Sequence, residues 1–148
     1  MKLSRKFLSD YIDIPSDIDY KKLAEDMTRI GNEYDSVNKL INATNLVIGE
    51  VLECKNHPDS DHLHVTLVDV GNEKLQIVCG APNVKVGIKV IVARVGAVLP
   101  EITIKKGNIR GVESNGMLCA LFELGLDKKY LNEDDINGIC ILDSDAKV

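Results

Sequence analysis

Lys105-Lys106-Gly107-Asn108-Ile109-Arg110-Gly111-Val112-Glu113-Ser114-Asn115-Gly116-Met117-Leu118 is the stretch with the densest usable chemistry. It holds three basic residues, three glycines and the polar pair Ser114-Asn115. Glycine lets a backbone take positive φ or come close to another molecule. Lysine and arginine beside such a backbone suit phosphate oxygens. Lys105, Lys106 and Arg110 are therefore the first candidate phosphate ligands, with Lys89 and Arg94 next. A glycine-rich turn carrying solvated lysines has the same composition, so surface solvation is the competing reading for each cation.

Other chemistries find less support. Cys54, His57, His62 and His64 offer metal-type ligands, and His62 and His64 would share a strand face. A structural zinc site wants four ligands, however, and this spacing matches no common zinc motif. The segment reads instead as a turn, with His57-Pro58 extended and Asp59 or Asp61 accepting backbone N–H groups. Cys79 and Cys119 sit in apolar strand contexts without an adjacent base, which suits core packing rather than nucleophilic attack. The Gly107-to-Gly111 spacing lacks the Gly-Lys-Ser/Thr ending of a phosphate loop. No Ser–His–acid arrangement has support, so neither a catalytic nor a metal site is assigned.

Charge narrows the partner. The 148 residues carry a net charge of −5, which argues against a surface that grips nucleic acid everywhere. Between Lys85 and Arg110, however, six cations (Lys85, Lys89, Arg94, Lys105, Lys106 and Arg110) face one acid, Glu101. Acids gather instead in Asp10 to Asp35 and in Asn132-Glu133-Asp134-Asp135. A local basic patch on an acidic body suits an RNA partner held partly by other domains. No apolar run approaches the roughly 20 residues that span a bilayer. The basic start, Met1-Lys2-Leu3-Ser4-Arg5-Lys6-Phe7, lacks the apolar core of a secretion signal. Four cysteines without a Cys-x-x-Cys pair suit a reducing compartment. The expectation is a cytoplasmic chain with no membrane partner.

Two units must position these residues. Residues 1–38 read as a small helical segment. Ser4 caps a short helix with Phe7, Leu8 and Tyr11 inward, and Ser16 caps a second with Asp19 in its first turn. Tyr20, Leu23, Ala24, Met27 and Ile30 form one apolar stripe, ended by Gly31-Asn32. Below about 40 residues such a piece needs help from other chain, so it is part of an incomplete domain. Residues 39–148 read as all-β. Strands are expected at Leu46 to Cys54, His62 to Val70, Leu75 to Cys79, Lys89 to Val95, Ile102 to Ile104, Met117 to Cys119 and Gly138 to Leu142. A helical turn is expected near Gly80-Ala81-Pro82-Asn83 and a brief helix at Phe122 to Leu126. Short strands with glycine turns suggest a small barrel or sandwich. The β unit has only Phe122 and Tyr130 as aromatics. A base-stacking platform is not expected, and recognition should rest on phosphates, 2′-hydroxyls and shape.

A family resemblance runs through the whole chain. His57-Pro58-Asp59-Ser60-Asp61-His62-Leu63, Val68-Asp69-Val70-Gly71, Ile77-Val78-Cys79-Gly80-Ala81-Pro82-Asn83-Val84, Gly96-Ala97-Val98-Leu99-Pro100, Arg110-Gly111-Val112-Glu113-Ser114-Asn115-Gly116-Met117-Leu118-Cys119 and Glu123-Leu124-Gly125-Leu126 fall in order. The series resembles the tRNA-binding domain at the front of the bacterial phenylalanyl-tRNA synthetase β subunit. The resemblance implies a mainly β chain whose residues 39–148 form an OB fold, a five-stranded Greek-key barrel. It implies tRNA as partner, an α subunit in an α2β2 tetramer, and ATP and magnesium in the full synthetase, none of them centred in this fragment. Ser114, Asn115 and Met117 match the family's loop and either touch RNA or build that loop. For Asn115 before Gly116, a backbone turn role suits the residue better. A structural domain with little RNA contact, or a free-standing OB-fold tRNA binder, are the alternatives. The amino-terminal segment argues against the latter.

Overall fold

The computed structural model describes residues 3–39 and 41–148; Met1 and Lys2 of the basic start lie outside them. The chain divides into two units, Met1–Lys39 and Leu40–Val148.

The first unit holds α1 (Arg5–Ser9) and α2 (Tyr20–Arg29). Ser4 caps α1, its hydroxyl accepting from the Phe7 N–H at 3.1 Å. The cap of α2 is Asp19 rather than Ser16; its carboxylate accepts from Lys21 N–H at 2.8 Å. An ionised acceptor at the positive end of the helix dipole outcompetes a hydroxyl three residues upstream. Gly31, at φ 102°, ends α2. Asn32 N–H donates to Met27 O and Gly31 N–H to Thr28 O, both at 2.9 Å, so the last carbonyls are satisfied. The inward facing expected of α1 is not found. Phe7 is 52 % exposed and Tyr11 73 %, and Leu8 is only half-buried. A five-residue helix has no second layer here to cover it, and Ala24 is the one buried apolar residue among those described in this unit.

The second unit is a barrel. Its strands are β1 (Leu46–Asn56), β2 (His64–Asp69), β3 (Lys74–Cys79), β4 (Lys89–Arg94), the short pair β5 (Gly107–Ile109) and β6 (Val112–Ser114), β7 (Gly116–Leu118) and β8 (Ile141–Leu142). The main sheet runs β3-β2-β1-β4-β7, all antiparallel, with β8 also on β4. A register shift between Val51 and Glu53 bulges the long β1 and bends it around the barrel. Val51, Val68, Ile77, Val90 and Val92 are fully buried inside. Each such side chain contributes roughly 1.5–3 kcal/mol relative to exposure. Buried positions alternate along β2, with Thr66 and Val68 facing the interior, and the Thr66 hydroxyl donates to Ile77 O at 2.8 Å. A second cluster outside β4 joins Ala93, Ala97, Leu99, Ile104, Cys119 and Leu124.

Closure needs β3 to meet the far side of the sheet, and one polar residue does much of it. Val78 N–H donates to Ser114 Oγ at 3.1 Å, and Ser114 Oγ donates to Gly116 O at 3.2 Å. Asn115 N–H donates to Gln76 O at 2.8 Å. The five strands β1, β2, β3, β4 and β7 form the nearly closed barrel of an OB fold.

Several local expectations change. β2 starts at His64, leaving His62 outside the strand. Ile102 to Ile104 makes a single bridge, Val98 to Thr103, and no strand. Residues 80–83 form a turn rather than a helical one. The glycine-rich stretch contains the β5–β6 hairpin, which its glycines had disguised as loop. A short α3 (Glu133–Asn137) is capped by Asn132, which accepts from Asp135 N–H at 2.8 Å.

Candidate nucleic-acid interface

OB folds bind oligonucleotides over their second and third strands and the loops joining strands one to two and four to five. Here those loops are residues 57–63 and the β5–β6 hairpin, and they are clasped together. His57 is 4 % exposed, and its Nδ1 accepts from Asp59 N–H at 3.1 Å. That leaves the ring proton on Nε2, which donates to Ile109 O at 3.0 Å. The expectation that Asp59 or Asp61 would accept in this turn is replaced by His57, and by Ser60 Oγ accepting from His62 N–H at 3.3 Å.

The hairpin tip completes the clasp. Arg110 and Gly111 both take positive φ, 48° and 84°, the pattern of a two-residue type I′ turn. Glycine fits there freely, whereas arginine at φ 48° costs about 1–2 kcal/mol. The Arg110 guanidinium offsets this by donating to Asp59 O at 3.0 Å. Arg110 stays exposed and at the surface.

A shallow depression at one barrel end gathers Lys74, Arg94, Lys106 and Asn115 together with Asn45, Glu73 and Glu113. Register explains the meeting. Arg94 at the end of β4 lies opposite Gly116, next to Asn115. Glu73 ends the β2–β3 turn, Lys74 opens β3, and Lys106 immediately precedes β5. Arg94 pairs with Glu73. Lys106 Nζ lies 3.0 Å from Glu113 Oε2, while Asn115 Nδ2 donates to Glu113 Oε1 at 2.9 Å. Those hydrogen bonds, first from Asn115 and then from Lys106, hold the Glu113 carboxyl below the usual carboxylate range. Three cations thus face two carboxylates.

The remaining candidates separate. Lys105 is exposed and lines a different, larger cleft beside Ile104, Met117 and Phe122. Met117 is half-buried against the second core cluster. Ser114 is 4 % exposed, with its hydroxyl used in closing the barrel. Lys89 sits at the other end of β4, about 16 Å of strand from Arg94, and donates to Ala146 O. Among the described residues no three His, Cys, Asp or Glu side chains group as a metal site. All four cysteines are free, and burial pushes the Cys119 thiol up to about 12. No helix of the described residues is long and apolar enough to cross a membrane.

Residues 46–146 match the family described as "Putative tRNA binding domain". The chain belongs to that family. It is 45 % identical to the phenylalanine–tRNA ligase beta subunit of Oceanobacillus iheyensis, across 100 % of this chain and 18 % of the relative. Identity is 51 % to that of Lactiplantibacillus plantarum, across 99 % and 18 %, and 46 % to that of Geobacillus kaustophilus, across 100 % and 19 %. The chain therefore spans about a fifth of the length of these relatives. The C-terminal domain of Plasmodium vivax p43 aligns with a TM-score of 0.43 at 25 % identity, covering 55 % of this chain and 48 % of that one.

For this tRNA-binding domain, sequence reading missed Lys74, Glu73 and Glu113 as parts of a charged depression. Their only signal was position, at a hairpin turn and across a hairpin, and which turn meets which strand end depends on barrel closure. It also missed His57 as a clasp, because a lone histidine before proline gives no sign of what its ring reaches.

Proposed function

We propose that the chain holds tRNA by its phosphate backbone over the depression framed by Lys74, Arg94, Lys106 and Asn115. The observation that carries this is the convergence of three cations, distant in sequence, on one concavity lined by the base of the β5–β6 hairpin, part of one of the loops that OB folds use. Lys105 lines the larger cleft, Arg110 sits at the hairpin tip on Asp59 O, and Lys89 stands apart. The β strands carry no Phe, Tyr or Trp, which favours contacts to phosphates, 2′-hydroxyls and shape over base stacking. The relatives' shared name supports a wider reading. In it the chain serves the beta subunit of a cytoplasmic phenylalanine–tRNA ligase, paired with an α subunit in an α2β2 assembly. That enzyme joins phenylalanine to tRNA(Phe) with ATP and magnesium, and this region does no bond-making.

The test is a salt titration of tRNA binding. Replacing Lys74, Arg94 and Lys106 by alanine should flatten log affinity against log salt by about 0.7–0.9 per lost contact. An unchanged slope rejects the three as phosphate ligands. A second reading, an assembly domain with little RNA contact, draws on the pairing of Arg94 and Lys106 with carboxylates and of Arg110 with a carbonyl. It expects no salt-sensitive tRNA binding in the same titration.

A further inference from the structure

We infer that Glu73 and Glu113 act as internal competitors of the RNA phosphates for the cations of the depression. The inference rests on the proposed placement of tRNA and adds its regulation. Each carboxylate holds one of the cations that the RNA would use, Glu73 on Arg94 and Glu113 on Lys106. All four side chains are partly exposed, between 29 % and 62 %, so an incoming phosphate reaches the cations and a displaced carboxylate returns to water. Glu113 is fixed from two sides, by Lys106 and by Asn115, which keeps it ionised and aimed.

A tethered carboxylate is present at high effective concentration next to its cation. One free phosphate contends with one such carboxylate at a time. A nucleic-acid strand brings several linked phosphates and displaces both carboxylates in one event. An exposed ion pair is worth about 0.2–1 kcal/mol, so releasing each cation in advance should tighten RNA binding by about 1.5- to fivefold.

The test compares Glu73→Gln and Glu113→Gln with Glu53→Gln and Asp127→Asn in the 148-residue chain. The last two remove a carboxylate from the Glu53–Lys55 and Asp127–Lys129 pairs outside the depression. The probe is fluorescein-labelled tRNA(Phe) transcript at fixed salt. The expected result is tightening by E73Q and E113Q within that range, with E53Q and D127N near unity. E113Q should also lose its effect when Lys106 is already alanine. Equal tightening by all four variants, which net charge alone would produce, overturns the inference, as does no tightening by either depression variant. If the lysine and arginine replacements weaken binding but E73Q and E113Q match the controls, this inference fails while the proposed placement stands.

Discussion

Gly116 shows how tightly a single residue can be constrained. Its φ is 157°, and a Cβ there would lie 2.9 Å from Ala93 O and 3.2 Å from Ile77 Cδ1. Backbone oxygen cannot yield as a flexible side chain would. Gly116→Ala should therefore lose about 2 kcal/mol, read as a lower urea midpoint at unchanged m-value. Cys119 gives a pH signature. Burial first, and then the charge of Glu123, raise its thiol from 9.0 to about 12 in the folded chain. Folding thus favours the protonated thiol. Its contribution is complete below the unfolded thiol's titration and is lost as pH climbs from about 9 toward 12. Urea midpoints should fall over that window in the wild type and fall less in Cys119→Ala. The same position was readable as a buried thiol from its apolar neighbours. The hydroxyl of Ser114 was not, because a serine in a glycine-rich stretch looks solvated until its partner strand is known.

At the scale of elements, the clasp between residues 57–63 and the β5–β6 hairpin makes the clearest claim. His57→Phe fills the same space without either hydrogen bond and leaves Asp59 N–H and Ile109 O unmatched. The cost should be about 2 kcal/mol, and amide exchange should quicken at residues 57–63 and 107–114 before it does in β1 or β4. Uniform exchange across the barrel would show that the loops are held by something else. Strands β1, β2, β3 and β4 were legible because β-branched residues alternate between glycine turns. The hairpin was illegible for the opposite reason. Its turn uses Arg110 at positive φ, where Asn, Asp or Gly is the recognisable choice, and a side-chain bond to Asp59 O makes the arginine tolerable. The cap of α2 was misplaced by three residues because Ser16 and Asp19 both satisfy the local rule and only the observed bond chooses between them.

Across the molecule, sequence reading recovered the barrel and the family but not the meeting of its ends. The depression joins a turn, a strand end and a hairpin, and that juxtaposition follows from closure rather than from any local pattern. The two units also differ in self-sufficiency. A peptide of residues 1–39 should be largely unfolded by circular dichroism, since Ala24 is the one buried apolar side chain among its described residues, whereas residues 40–148 should keep a cooperative urea transition. A non-cooperative 40–148 fragment would contradict the division. Finally, where β3 meets Ser114 and Asn115, two donors and acceptors stand in for the missing ladder. Strip the hydroxyl with Ser114→Ala and the third strand keeps a bare margin, ready to recruit the same margin of a neighbouring molecule. The loss would register first as concentration-dependent self-association in sedimentation, and only later as a lower melting point. One oxygen atom, on this account, guards the open margin of the third strand.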